Sequence, residues 1–254
     1  MPGERYVFLD FDDTLSDPFQ FHIQYVREVG ALLDGEFGGS AEGWAKAAID
    51  MLESVEREYV VRFQGSPLNG YCAWLADVRG RSMRSMFQQM NIAAPEDAAC
   101  VARDMQRRAL ARCSALFPGA ETALDALHAG GFHVHTASGQ ESEYLTAALA
   151  GAGIDARTGM KFGPDLIDCA KEGPDYYARV FETVGARASD CVVVDDYPPA
   201  IEWALQAGAH VLQSKLSRER HYERSPGVAD VVTALTDLPR LVESIFERQQ
   251  PIRS

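Results

Sequence analysis

The stretch YVFLDFDDTLSD, residues 6–17, drives four mostly apolar residues straight into Asp10, Asp12 and Asp13. Aliphatic, aromatic and β-branched residues in such a run read as a short buried strand. A second run repeats the pattern: VVVDDY, residues 192–197, ends in Asp195 and Asp196. An isolated DxD is most simply a turn former or a solvated strand cap. Two parallel strands that both end in acids are different, because they bring four carboxylates to one edge of a sheet. Along an extended chain residues i and i+2 share a side, so Asp10 and Asp12 can converge. That much like charge is costly unless it is paired. A hard divalent cation with oxygen ligands removes the cost, and Mg²⁺ suits such a donor set.

The rest of the chain has two rhythms. From about Ser16 to about Leu116, apolar residues recur at three- and four-residue spacing, broken at GEFGGS and QGSPLNG, which predicts helices and no strands. After LFPG, strand-like runs (FHVHTASG, a short one near GMKFGP, DCVVVDDY, AHVLQ) alternate with helical ones. SKLSRERHYERSPG reads as a polar surface loop, and DLPRLVESIFERQQ closes as an amphipathic helix. Alternation of this kind predicts an α/β fold: a Rossmann-like, doubly wound parallel sheet covered on both faces. Residues 1–15 and 117–254 form that core, and residues 16–116 an inserted, mostly helical cap. Ligands of open α/β sheets bind beyond the carboxyl ends of the strands, so the insertion sits over that edge as a lid.

A formal net charge of −13 speaks against nucleic acid or an anionic membrane as partner. It also repels a phosphorylated substrate, unless a metal or a basic pocket reverses the field locally. The five cysteines are scattered, and MPGERY has no signal-peptide pattern, so reduced thiols and a cytoplasmic location are expected. No apolar run is long enough to span a bilayer. The oligomeric state is not written in the sequence.

Two groups between the acidic motifs complete a constellation. HTASG offers Thr136 and the N–H groups of the turn after it, and CAKEGPDYY offers Lys171 ahead of a helix. Hydroxyl, ammonium, metal and carboxylate together suit phosphoryl transfer, a nucleophile surrounded by charge neutralisation. In this order, DFDDTL, HTASG, a lysine and VVVDDYPPAIEWALQAGA resemble the motifs of the haloacid dehalogenase superfamily of hydrolases. The match covers roughly residues 5–15 and 117–215.

The resemblance implies that Asp10 is the nucleophile and Asp12 the general acid–base. Asp196, Asp10, the backbone carbonyl of Asp12 and, directly or one step removed, Asp195 form the magnesium set. Thr136 and the N–H of Ala137 hold a phosphoryl oxygen, and Lys171 offsets the charge of Asp10 and the phosphate. The lysine motif departs from the usual Lys-Pro, since Pro174 stands three residues on, and Lys161 is the alternative. Thr14 is expected to fix the turn by hydrogen bonding, with Asp13 pointing away. Members that cleave carbon–halogen bonds lack an acid at the position of Asp12, because a halide leaves without a proton.

In the cap, Arg79, Arg81 and Arg84 either form a solvated helix face or reach the substrate, and Arg81 is the expected substrate contact. Trp44, Tyr71 and Trp74 either fill the cap core or line a pocket for an apolar or ring-bearing leaving group. His133 and His135 form an HxH without a third ligand and read as structural. Lys46, the only cap lysine, sits in an ordinary amphipathic helix. The expected activity is a Mg²⁺-dependent phosphatase acting on a small phosphorylated metabolite through an aspartyl-phosphate. The alternatives are a β-phosphoglucomutase-like phosphomutase and a non-catalytic phospho-ligand-binding protein of the same fold.

Overall fold

The protein is described by a computed structural model over residues 4–65, 68–217, 220 and 222–248. Parts of two stretches read above as breaks or loops, residues 66–67 of QGSPLNG and 218, 219 and 221 of the polar loop, lie outside the described residues. Six strands, β1 (Tyr6–Leu9), β2 (His133–Ala137), β3 (Lys161–Phe162), β4 (Cys191–Asp195), β5 (His210–Ser214) and β6 (Asp230–Val232), form one sheet. All neighbours are parallel, in the order β3-β2-β1-β4-β5-β6. The order reverses between β1 and β4, and at such a switch point a crevice opens beyond the strand ends.

β1 is buried along its whole length and hydrophobic on both faces, as a central parallel strand must be. Val7 and Leu9 belong to one core cluster and Tyr6 and Phe8 to another, on opposite sides of the sheet. Leu9 stands opposite Val194 in the register, and the N–H of Asp10 donates to Val194 O at 2.9 Å. Two acidic strand ends are therefore side by side.

Between β1 and the rest of the sheet the chain builds four helices: α1 (Pro18–Phe37), α2 (Ala41–Phe63), α3 (Tyr71–Gln89) and α4 (Ala98–Leu110). α1 starts where Pro18 presets the first turn and the Asp17 carboxylate accepts the N–H groups of Phe19 and Gln20. α1 and α2 pack closely at Gly30, where a Cβ would lie 2.3 Å from Ala41 O. The outgoing and returning chains run side by side: Asp17 N donates to Ala115 O at 2.8 Å and Phe117 N to Leu15 O at 2.9 Å. The apolar core is continuous across this junction, joining Val7, Leu9 and Phe11 to Phe21, Leu33, Trp44 and Phe87.

Helices α5 (Ala120–Ala129), α6 (Ser142–Gly151), α7 (Pro164–Ile167), α8 (Pro174–Thr183), α9 (Pro198–Gln206) and α10 (Leu238–Arg248) complete the molecule. Two details differ from the sequence reading. The segment after β3 closes as the single turn α7, which the sequence reading does not include, and the three-residue β6 extends a sheet edge where no strand is legible. No described helix is long and apolar enough to cross a membrane.

Candidate active site

The chain turns sharply after β1. Asp13 N donates to Ser16 O, Leu15 N and Ser16 N both donate to Phe11 O, and Asp13 takes a left-handed φ of 56°. Backbone bonds close this turn; the Thr14 hydroxyl is buried and makes no hydrogen bond, contrary to the role expected of it. The turn sends the Asp13 side chain away from the strand end, where Arg220 Nε stands 3.4 Å from it. Asp10 and Asp12 are left facing a cavity of about 780 Å³ between sheet edge and cap.

Lys171 organises the floor of this cavity. Its ammonium donates to Asp10 Oδ1 and Asp195 Oδ2, each at 2.7 Å, and to Ala137 O at 3.1 Å. The Tyr177 hydroxyl donates to the same Asp195 oxygen at 3.0 Å, and Tyr197 N donates to the other at 3.0 Å. Burial works against charge on Lys171, but Asp10 and Asp195 outweigh it and hold the ammonium well above its ordinary range. Of the two candidate lysines, Lys171 is the one that reaches the acidic strand ends, while Lys161 pairs with Asp155 at 2.9 Å and with nearby carbonyls.

Burial also pushes the Asp10 carboxyl up, against the pull of Lys171. Asp196 rises to about 8, first through burial and then through the charges of Asp10 and Asp195. One of its oxygens, Oδ2, is buried without a hydrogen-bond partner. Carboxylate oxygens of Asp10, Asp195 and Asp196 lie within 4.8 Å of one another. Three crowded carboxylates, one with an orphaned oxygen, fit a hard divalent cation of the magnesium type. Asp12 stands apart from this set. Its Oδ2 accepts the Gln140 side-chain N–H at 2.9 Å, and burial raises its pKa against that bond.

Several sequence expectations are relocated. Thr136 is fully buried, its hydroxyl makes no hydrogen bond, and neither it nor Ala137 lines the cavity. β2 runs on to Ala137, so the first residues beyond the strand are Ser138, Gly139 and Gln140, and these three line it instead. Arg81 also lies off the cavity, spent on Asp77 at 2.6 Å and Glu58 at 2.9 Å. The cap arginine that lines it is Arg79, paired with Glu141 and, at 3.4 Å, with Glu143, while Arg220 lines it from the core side. Trp44 is cap core, whereas Tyr71 and Trp74 line the cavity. Lys46 pairs with Asp50 on the surface. His133 and His135 stack on Tyr6, and His135 Nδ1 accepts the Met160 N–H.

The cap closes over the floor at two further points. Arg79 of α3 meets Glu141 just before α6, and Arg103 of α4 meets Glu143 at 2.7 Å. On the other side, Asp168 accepts the backbone N–H groups of Gly70 and Cys72, at 3.2 and 3.0 Å. α3 has no side-chain cap of its own, so the core supplies one.

Comparison with known proteins agrees with this architecture. Among curated proteins no sequence match is found. The hydrolase YfnB of Bacillus subtilis, solved with magnesium, superposes with a TM-score of 0.62 at 17% identity, over 94% of this chain and 98% of that one. An L-2-haloacid dehalogenase from Xanthobacter autotrophicus gives 0.61 at 19% identity, over 95% and 99% of the two chains. A 2-haloacid dehalogenase from Pseudomonas syringae gives 0.67 at 16% identity, over 95% and 99%. At such identities these likenesses concern the fold. The family model for haloacid dehalogenase-like hydrolases matches residues 4–208, most of the sequence, and the chain belongs to that family.

Proposed function

We propose that the protein is a magnesium-dependent phosphohydrolase that acts on a small phosphorylated metabolite through an aspartyl-phosphate. The observation that carries this reading is Asp12, a second carboxyl two residues beyond Asp10, facing the same cavity with its pKa raised by burial. Raising the pKa of a carboxyl helps it hold a proton to deliver, as a general acid must, and alkoxide leaving groups need one.

The steps follow from the groups in place. An oxygen of Asp10 attacks phosphorus, the bond to the leaving alkoxide breaks, and Asp12 passes its proton to that alkoxide. Asp12, now ionised, takes a proton from water as the water attacks phosphorus. The bond to Asp10 then breaks, inorganic phosphate leaves, and both carboxyls are restored. Lys171 fixes the orientation of Asp10, and Gln140 fixes that of Asp12. Ser138 and Gly139 lie where a phosphoryl oxygen arrives. Asp10 and Asp196 would hold magnesium, with Asp195 behind them, and the ion supplies the positive charge that lets an anion attack an anion.

A second reading, hydrolysis of a carbon–halogen bond by the same Asp10, is favoured by the apolar upper wall of the cavity. It leaves Asp12 without a task, because halide departs unprotonated. The test is p-nitrophenyl phosphate turnover with magnesium and with EDTA, beside chloride release from 2-chloropropionate. Phosphate release that stops with EDTA and falls on the order of 10⁴-fold in Asp10→Asn is expected. Chloride release without phosphate release overturns the reading.

A further inference from the structure

The cavity has two halves of opposite character. The sheet edge contributes Asp10, Asp12, Lys171, Asp195 and Asp196, whereas the cap contributes mostly hydrocarbon and thioether. Four of the chain's seven methionines meet there: Met51, Met83, Met86 and Met105. Leu52, Val55, Leu75 and Val78 fill the spaces between them, and Tyr71 and Trp74 close one side.

Charge in the upper half is equally informative. Arg79 is the one Lys or Arg side chain that the described cap residues bring to the cavity, and Glu141 and Glu143 occupy it. Its side chain is only 19% exposed. The cap's other charged lining residues are Glu53 and Glu56, both exposed and both anionic. Under the cap, a second phosphate or a carboxylate on the substrate would meet those acids; beyond Lys171 and Arg79 the cavity's remaining arginine, Arg220, stands on the core side, where its Nε faces Asp13 at 3.4 Å. Neutral polar groups meet tyrosine hydroxyls, Ser82 and Gln106, but sugar hydroxyls facing the methionines would lose water without a partner.

Size completes the argument. An apolar cavity of roughly 150 Å³ accepts benzene. A space of about 780 Å³ therefore holds a phosphoryl group and a leaving group of bicyclic or medium-chain size. Methionine walls adapt to varied apolar shapes, because the unbranched thioether has three soft torsions.

We propose that the substrate is the phosphate monoester of an uncharged, predominantly apolar alcohol, aryl or medium-chain alkyl, whose carbon body lies against the methionine-lined cap. This rests on the phosphohydrolase reading and narrows it: a bisphosphate, as in phosphomutase chemistry, would find no free cation under the cap for its second phosphoryl group.

Two measurements test it. Phosphate release with magnesium is followed for n-alkyl monophosphates from ethyl to octyl, for 1-naphthyl phosphate, for glucose 6-phosphate and for fructose 1,6-bisphosphate. Binding of the same alkyl series to Asp10→Asn is followed by calorimetry. Each added methylene should raise kcat/KM about two- to fourfold until the cavity is full. Naphthyl phosphate should exceed both sugar phosphates by roughly 100-fold or more, on the same area argument. A flat or falling series, or a preferred sugar phosphate, overturns the inference and leaves the phosphohydrolase reading intact. Absence of phosphate release from every ester, with binding that still strengthens along the series, does the reverse: it removes the phosphohydrolase reading and upholds the apolar seat.

Discussion

The floor and the roof of the cavity are built by opposite rules. On the floor, carboxylates and one ammonium are buried together, all but Asp196 held by partners: Lys171 by Asp10, Asp195 and Ala137 O, Asp195 also by Tyr177 and Tyr197 N, Asp12 by Gln140. On the roof, the arginines are spent on acids, the two lining glutamates, Glu53 and Glu56, are exposed, and mostly hydrocarbon faces the space. Buried charge needs exact complementarity, since one lost partner leaves its mate uncompensated. Apolar packing tolerates change, since shape and volume can be met in many ways. On the proposed function, the floor would carry the chemistry and the roof the choice of leaving group.

The largest expected effect comes from Lys171→Met. It leaves Asp10 and Asp195 facing each other, and should cost about 3–5 kcal/mol of stability as well as activity. Urea unfolding reads it, and a loss below 1 kcal/mol would show that the floor does not depend on its ammonium. Asp12→Asn should lower kcat by roughly 10²- to 10⁴-fold for alkyl phosphates. The loss should be much smaller for p-nitrophenyl phosphate, whose leaving group departs without a proton. Equal losses for both would separate Asp12 from proton delivery.

Glu141→Gln probes the seam between the two halves. Arg79 keeps only the longer contact to Glu143, so the expected cost is about 1–3 kcal/mol. Faster amide exchange should appear in α3 and at the start of α6 while the sheet stays protected; uniform change would deny the seam a local role. The last effect lies away from the cavity and shows only as pH falls. Burial, then the charge of His133, pulls the His135 pKa down from 6.5 to about 4. Between those values the unfolded chain binds a proton that the folded one refuses, so stability falls as pH drops. From pH 7.5 to 5 the loss from this residue should be about 2 kcal/mol, read as the slope that disappears in His135→Gln.

Much of the floor is legible in the sequence because its signals are local. An apolar run ending in acids states both the strand and the carboxylates beyond it, and helical periodicity marks all four cap helices. Lys171 follows from its place ahead of a helix. The misses arise where position depends on the end of a strand or on a helix's rotation. Reading β2 as ending near Thr136 places the wrong hydroxyl in the site, since the strand continues to Ala137 and Ser138 is the residue beyond. Arg79 and Arg81 are two apart on α3, so they point about 200° apart around its axis and only one reaches the cavity. Gln140, Glu141 and Tyr177 carry no motif signal; their roles exist only once distant segments meet. The three residues of β6 are too few to show a period.

The bond from Asp168 to the first turn of α3 joins the two halves in a way that reaches beyond fastening. Asp168 adopts a left-handed φ of 44° and lies three residues before Lys171 on the same short strip of chain. Lifting the roof would strip that carboxylate of both amides and slacken the strip that carries the ammonium. Arrival of a guest above would thus be felt at Asp10 below, with the backbone itself as the tether.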